Sequence, residues 1–420
     1  MKNCFYPADI LLPSFSKDAE KMHRWSCVAC DQYTSEPEYW NAVETVVGDA
    51  PSTLRITLPE LYLSEAEKRI PKINETMVDY AANVLTERKA SMIYLERTQK
   101  NGKIRRGLVG ALDLECYDYN KGAVSLVRAT EGTVLERIPP RVKIREGASV
   151  ELPHIMILID DPKKTVIEPL IDKATAYETA YDFDMMQNSG HALGRYLPSD
   201  EIARVSSALE ALCEDASKTQ GTDDPLVFAV GDGNHSLASA KAFWEQIKPT
   251  LSEDERAVHP ARYALCEIVN IHDTALEFEP IYRVLFGVDP EAFMTEFRTY
   301  VKSLPESDID AQTFGFVTVD GYGEITVDNP TSLLPVGTLQ VFIDAYLKSH
   351  KDVTVDYIHG IESTKKLASG KDAIGFLFKG MEKSELFPTV VRDGALPRKT
   401  FSMGEADDKR FYLEARRIVL

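Results

Sequence analysis

Pro225-Leu-Val-Phe-Ala-Val-Gly-Asp-Gly-Asn-His-Ser-Leu-Ala-Ser-Ala-Lys-Ala-Phe-Trp244 encodes a strand, a turn and a helix in one short stretch. Leu226 to Val230 is an apolar run of the length expected for a buried strand. Gly231-Asp232-Gly233-Asn234-His235 is a turn. Leu237, Ala240, Phe243 and Trp244 then recur at helical spacing. A helix starting at such a turn leaves its first backbone N–H groups without intrahelical partners. With the positive end of the helix dipole they face the space above the strand, which favours an anion. Asp232, Asn234, His235 and Ser236 add polar side chains at the same spot. The plain structural alternative is a capped turn, in which Asp232 serves only the helix end.

The rest of the chain sets bounds on that site. Its 420 residues, 44% hydrophobic and 27% charged, are enough for two or three domains with real cores. A formal net charge of −18 argues against nucleic acid or an anionic membrane as partner, because both are recognised by a basic field. A small anionic ligand in a local basic pocket remains compatible with it. Pro7 and Asp9 interrupt any leader-like apolar run, and apolar stretches such as Ile155 to Ile159 are too short to span a bilayer. A cytoplasmic setting with six reduced cysteines is expected. Cys27-Val-Ala-Cys30, with His23 before it, is a lone C-x-x-C; it reads as two small buried residues rather than a metal or redox site.

Along the chain, helices are expected at 37–47, 63–88, 173–187, 199–218, 290–303 and about 339–348, with further short ones near 365–367 and 380–386. A hairpin is expected around Asn101-Gly102, and strands at 110–117, 123–129, 152–159, 263–271, 355–360 and 374–378. A second hairpin turns at Asp320-Gly321. Residues 188–195, with His191 and Arg195, read as a loop. Strands and helices neither alternate strictly nor segregate. The expected fold class is therefore α+β, a central mixed sheet with flanking helices. The polar, turn-rich link ending at Pro225 suggests two domains, 1–220 and 221–420.

Arg128-Ala-Thr-Glu131-Gly-Thr-Val-Leu-Glu-Arg137-Ile-Pro-Pro-Arg141 gathers arginines and carboxylates around turns, either an ion-paired loop or an anion-binding face. Asp160-Asp161-Pro162 closes a buried strand, as a turn or as a divalent-ion ligand pair. Asp31-Gln-Tyr-Thr-Ser-Glu-Pro37 is dense enough in polar and aromatic groups to line a cleft.

Phe228-Ala-Val-Gly-Asp232-Gly-Asn-His235-Ser resembles the Ala-Asp-Gly-His-His-Arg signature of the domain of unknown function 1015 family. The likeness extends through Ala29-Cys-Asp-Gln-Tyr-Thr-Ser-Glu-Pro37, Thr130-Glu131, Glu277-Phe-Glu-Pro-Ile-Tyr-Arg283, His359-Gly360 and Leu396-Pro-Arg-Lys-Thr400. More distantly, the turn is similar to the Asp/Glu-Gly-x-His-Arg turn of the ParB/sulfiredoxin-like fold, which includes free-serine kinases. That resemblance implies nucleotide phosphates cradled at the helix N-terminus and an acidic residue activating a hydroxyl. Ser236 stands where the pattern has Arg, and Tyr282 where many relatives have His. Another cation must compensate, with Lys399, Arg398 and Arg141 as candidates.

The leading expectation is a phosphotransferase acting on a small hydroxylated metabolite, free serine among the candidates, with ATP or ADP bound at Gly231–Ser236. Asp232 would act as base or Mg²⁺ ligand, His235 as phosphate contact or proton shuttle, and Lys399 as the neutralising cation. Gly233, Asn234, Ser236, Glu131, Arg141, His359, Arg398 and Thr400 would line the phosphate and nucleotide site. No structural metal is expected, and an oligomer is compatible with the sequence. The alternatives are a non-catalytic nucleotide- or metabolite-binding regulator, and a metal-assisted hydrolase built from Asp232, His235 and Asp160 or Asp161.

Overall fold

The computed structural model describes residues 3–120, 122–132, 136 and 138–419. Arg137 of the arginine-rich stretch lies outside them. The chain forms two compact units, Met1–Leu276 with Glu405–Leu420, and Glu277–Gly404. The boundary expected at 220/221 falls inside the first unit. The strand Phe228–Asp232, just past that link, pairs with Met156–Ile159 on one side and Val127–Ala129 on the other. The link is thus a loop within one sheet, not a joint between domains.

Among the described residues the first unit is organised by a ten-stranded mixed sheet. Its order runs Glu178–Asp184, His191–Tyr196, Ile93–Thr98, Ile104–Asp113, Tyr263–Asn270, Met156–Ile159, Phe228–Asp232, Val127–Ala129, Tyr117–Asp118, with Phe5–Tyr6 also on Ile104–Asp113. The strand Phe228–Asp232 is parallel to Val127–Ala129 and antiparallel to Met156–Ile159. Side chains alternate between two cores, as period-two strands require. Ile93, Leu95, Val109 and Leu265 pack with Trp25, Trp40 and Met77. Tyr94, Leu108, Ile157, Phe228 and Val230 pack with Leu209, Leu237 and Trp244. Each such fully buried side chain contributes about 1.5–3 kcal/mol. The helix Asn234–Ile247 lies in the second core, anchored by Leu237, Phe243 and Trp244.

Residues 405–419 return to the first unit as its last layer. Phe411 bridges to Val28 and Ala415 to Leu11, and Arg416–Arg417 pair with Val150–Glu151. The segment is pinned by charge. The Arg410 guanidinium lies between Glu267 (2.9 Å) and Glu414 (2.5 Å), and the Tyr181 hydroxyl donates to Glu414 at 2.6 Å, all of them buried. Arginine suits this place because its fork engages two carboxylates at once.

The helix expected over 173–187 is instead the strand Glu178–Asp184, and the loop expected over 188–195 contains its hairpin partner, His191–Tyr196. Ala180, Tyr181 and Phe183 are buried in the first core, and pairing with the next strand outweighs local helical spacing. The one or two helices expected over 63–88 are the helix Ala66–Asn83, followed by the strand Leu85–Ser91.

The second unit has the strand order Gly321–Val327, Gln312–Thr318, Ala373–Leu377, Phe278–Phe286, Thr354–His359, with Phe401–Met403 on Phe278–Phe286. Helices Pro290–Ser303 and Pro335–Ser349 pack through Phe293, Phe297 and Phe342. Arg283, fully buried, donates to Gln340 Oε1 at 2.7 Å and to the carbonyls of Ile281, Lys399 and Arg398. It fixes the 398–400 turn by its backbone.

Candidate functional site at the Gly231–Ser236 turn

Gly233 makes the turn. Its φ is 78° and ψ 27°, the left-handed region that favours glycine. A Cβ there would also stand 3.0 Å from the Ile155 Cα. The helix that follows has no side-chain cap and no acidic residue in its first turn, the arrangement that leaves a helix N-terminus available to an anion. Asn234 Oδ1 is buried without a hydrogen-bond partner among the described residues. Asp232 accepts the Gly233 N–H at 2.9 Å, and its other oxygen faces Lys409 Nζ at 3.4 Å.

His154 is the group that sequence reading missed. It precedes the strand Met156–Ile159, whose Met156 is in register with Asp232. Its Nε2 lies 3.2 Å from Ser236 Oγ and 3.6 Å from Asp31 Oδ2, and its Nδ1 lies 3.0 Å from the Tyr412 hydroxyl. Burial by itself would lower the His154 pKa. The Asp31 carboxylate, with Asp232 beyond it, more than offsets that, and the net shift is upward. Burial likewise opposes ionisation of Asp31, yet His154, Gln32 and Lys409 hold its carboxyl well below the usual range. The charged form of His154 is thereby favoured relative to a free imidazole. Burial, with Asp31 nearby, pushes the Cys30 thiol up to about 12, so it is not a nucleophile here.

The turn thus collects Asp31, His154, Asp232, Ser236, Lys409 and Tyr412 from four separate parts of the chain. Val28 and Phe411 bridge these parts, and the Cys30 N–H donates to the Tyr412 hydroxyl at 3.2 Å. Thr130 is held by its hydroxyl on the Val230 carbonyl at 2.6 Å. A pocket of about 140 Å³ opens beside Ser236 and His154 and also reaches Arg141, which is ion-paired with Glu60. At the place of the signature's Arg, Ser236 Oγ lies 3.2 Å from His154 Nε2.

Lys399, Arg398, Thr400 and His359 belong to the second unit. Thr400 is buried and donates to the Pro397 carbonyl, Lys399 Nζ stands over the Tyr357 ring at 5.1 Å, and His359 ends the strand Thr354–His359. Arg128 is spent on the carbonyls of Ser125 and Asp224. Asp160 and Asp161 follow Ile159, which is paired with Phe228, so they sit at the sheet end opposite Asp232. Asp161 accepts the N–H groups of Thr165 and Val166, and Asp160 meets His272 at 2.7 Å. The hydrolase built on Asp232 with these aspartates is ruled out by that separation. Among the described residues no group of three or more His, Cys, Asp or Glu gathers as a metal site. Cys27 Sγ lies against the Thr53 hydroxyl and His23 Nδ1 against the Asp184 carbonyl, a structural arrangement. Among the described residues no helix is long and apolar enough to cross a membrane.

A family model described as "Protein of unknown function (DUF1015)" matches residues 13–346. Comparison with curated proteins finds no match. Among solved structures, the chain is similar to a mutant free serine kinase in complex with AMP, at 11% identity and a TM-score of 0.38, over 74% of this chain and 91% of that one. It is also similar to a conserved hypothetical protein from Pyrococcus furiosus, at 11% identity and TM-score 0.36, over 74% and 94%. A third is SbnI with C-terminal truncation from Staphylococcus aureus, at 14% identity and TM-score 0.35, over 74% and 87%. These likenesses are too distant to carry a function.

Proposed function

The chain belongs to the DUF1015 family, whose description names no activity, and we propose from the site itself that it is a phosphotransferase acting on a small hydroxylated metabolite. The observation that carries the reading is the buried His154 imidazole, 3.6 Å from Asp31 and 3.2 Å from Ser236 on the first turn of an uncapped helix. Phosphoryl transfer asks chiefly for positioning and charge neutralisation, and this turn is suited to both.

In this reading the terminal phosphate of a nucleoside di- or triphosphate lies against the N–H groups of Asn234 to Ser236. His154, Lys409 and Arg141 neutralise its charge, and His235 contacts a phosphate oxygen. The acceptor hydroxyl oxygen bonds to phosphorus as the bond to the nucleotide's bridging oxygen breaks. The hydroxyl proton passes to Asp232. The uncapped helix start, with the left-handed Gly233 before it, fits a bound phosphate group through its free N–H groups. Asp232 also fits a Mg²⁺ held mainly by phosphates and water, which would supply further neutralisation when bound. The reading uses residues of the first unit alone.

A second reading, a nucleotide- or metabolite-binding regulator, draws on one observation. Both Asp232 oxygens are already engaged, by the Gly233 N–H and by Lys409. The two are separated by incubating the protein with ATP, ADP or CTP and a panel of hydroxylated metabolites, free serine included, followed by ³¹P NMR. The phosphotransferase reading expects a new phosphate ester, and expects Asp232→Asn to abolish it while nucleotide affinity persists. Tight binding with no ester across the panel favours the regulator. Absence of nucleotide binding removes both.

A further inference from the structure

We infer that the pocket beside Ser236 takes a small hydroxylated carboxylate carrying an apolar side group, in preference to a wholly polar acceptor such as free serine. The inference rests on the phosphotransferase reading only for the reaction that follows binding. Part of the pocket lining is polar, with Ser236, Ser239, His154 and Tyr412. The rest is largely hydrocarbon, made by Ile56, Leu58, Met77, Ile144, Val150 and Ile155. A second hydroxyl or ammonium pushed against that wall would leave water and find no partner, which is costly. A methylene there gains about fourfold in affinity, the equivalent of about 0.8 kcal/mol per buried CH₂.

Charge sets the head group. His154, Arg141 and Arg145 line the pocket, each beside a carboxylate: Asp31, Glu60 and Glu151. Arg145 donates to Glu151 at 2.7 Å and keeps a buried Nε–H without a hydrogen-bond partner among the described residues. That unpartnered Nε–H, on a side chain that lines the pocket, favours a ligand with a charged acceptor oxygen, as in a carboxylate. Size sets the tail. The volume of about 140 Å³ is close to the roughly 150 Å³ of an engineered apolar cavity that admits benzene, so an apolar group of about four to six carbons fills it. The Cys30 thiol, held protonated by burial, adds to the apolar lining instead of reacting with the ligand.

The test is calorimetric titration of the full chain with a series of 2-hydroxy acids, from glycolate through straight and branched six-carbon members, and with serine, each with and without ADP. The expected result is an affinity rising about fourfold per methylene up to about six carbons and then falling, with serine weaker than its apolar isosteres. Met77→Ala is expected to move the optimum one or two carbons upward, and Ala148→Leu to move it down. A flat series, no binding by any member, or serine as the tightest ligand overturns the inference. If the predicted ranking is found but no phosphate ester forms with ATP, the phosphotransferase reading fails and the ligand assignment stands.

Discussion

Replacing Asp31 with Asn removes the carboxylate that keeps His154 charged. The two groups are 3.6 Å apart, with His154 only 7% exposed and Asp31 29% exposed. At that distance unit charges attract by about 4–5 kcal/mol at an effective dielectric of about 20. Desolvation takes back much of this, leaving a net coupling of about 1–3 kcal/mol. Without Asp31, burial becomes the dominant influence on His154 and favours the neutral ring. A cationic hydrogen bond to phosphate is then lost near neutral pH, which weakens pyrophosphate or ATP binding about ten- to a hundredfold. Removing a negative charge beside an anion site would, by simple electrostatics, strengthen binding, so the expected effect has the opposite sign to the trivial one. Stability follows the same pair. The raised His154 pKa contributes stability that is complete below its unfolded value of about 6.5 and is lost as pH rises through the folded value. The depressed Asp31 pKa contributes above its unfolded value of about 3.9 and is lost as pH falls through the folded value. The pair therefore stabilises fully between about pH 4 and 6.5, and the variant forfeits that window. NMR titration of the His154 ring, with calorimetry of pyrophosphate binding from about pH 5.5 to 8.5, reads both effects. Superimposable ring titrations and affinities in the two proteins would refute the reasoning.

Exchanging the cation tests whether His154 stands in for the arginine of the family signature. His154→Ser should weaken pyrophosphate binding, and adding Ser236→Arg to it should restore most of the loss, whereas Ser236→Arg alone crowds two cations and does not improve on the parent. Gly233→Ala should destabilise the first unit by about 2–3 kcal/mol in urea denaturation, combining left-handed strain with a 3.0 Å approach to Ile155. Gly122→Ala, also at positive φ but with open space around it, should cost only about 1 kcal/mol.

The central unit was legible because its pattern is local. An apolar run, a glycine turn and a helical repeat lie in sequence from Pro225 to Trp244, and the strand Phe228–Asp232 and helix Asn234–Ile247 follow them closely. The helices Pro37–Val47 and Pro290–Ser303 and the hairpin at Asn101-Gly102 are local in the same sense. The strands Glu178–Asp184 and His191–Tyr196 were hidden because their faces are decided by neighbours in the sheet rather than by their own spacing. The anion site was half legible. Asp232, Gly233 and Ser236 are contiguous, whereas Asp31, His154, Lys409 and Tyr412 arrive by pairing of Val28 with Phe411 and of Asp232 with Met156. One signal was present, a lone histidine after Pro153 at the head of the apolar run Ile155 to Ile159. The sequence reading took that run as a strand and passed over the histidine.

The most direct test of the account is the crystal structure of the protein with pyrophosphate bound. The account predicts a phosphate about 3 Å from the backbone N–H groups of Asn234 to Ser236 and from His154 Nε2, with Lys409 turned toward it. A phosphate bound away from this turn, or a turn in which Ser236 and His154 stay closed on each other at saturating pyrophosphate, would contradict it.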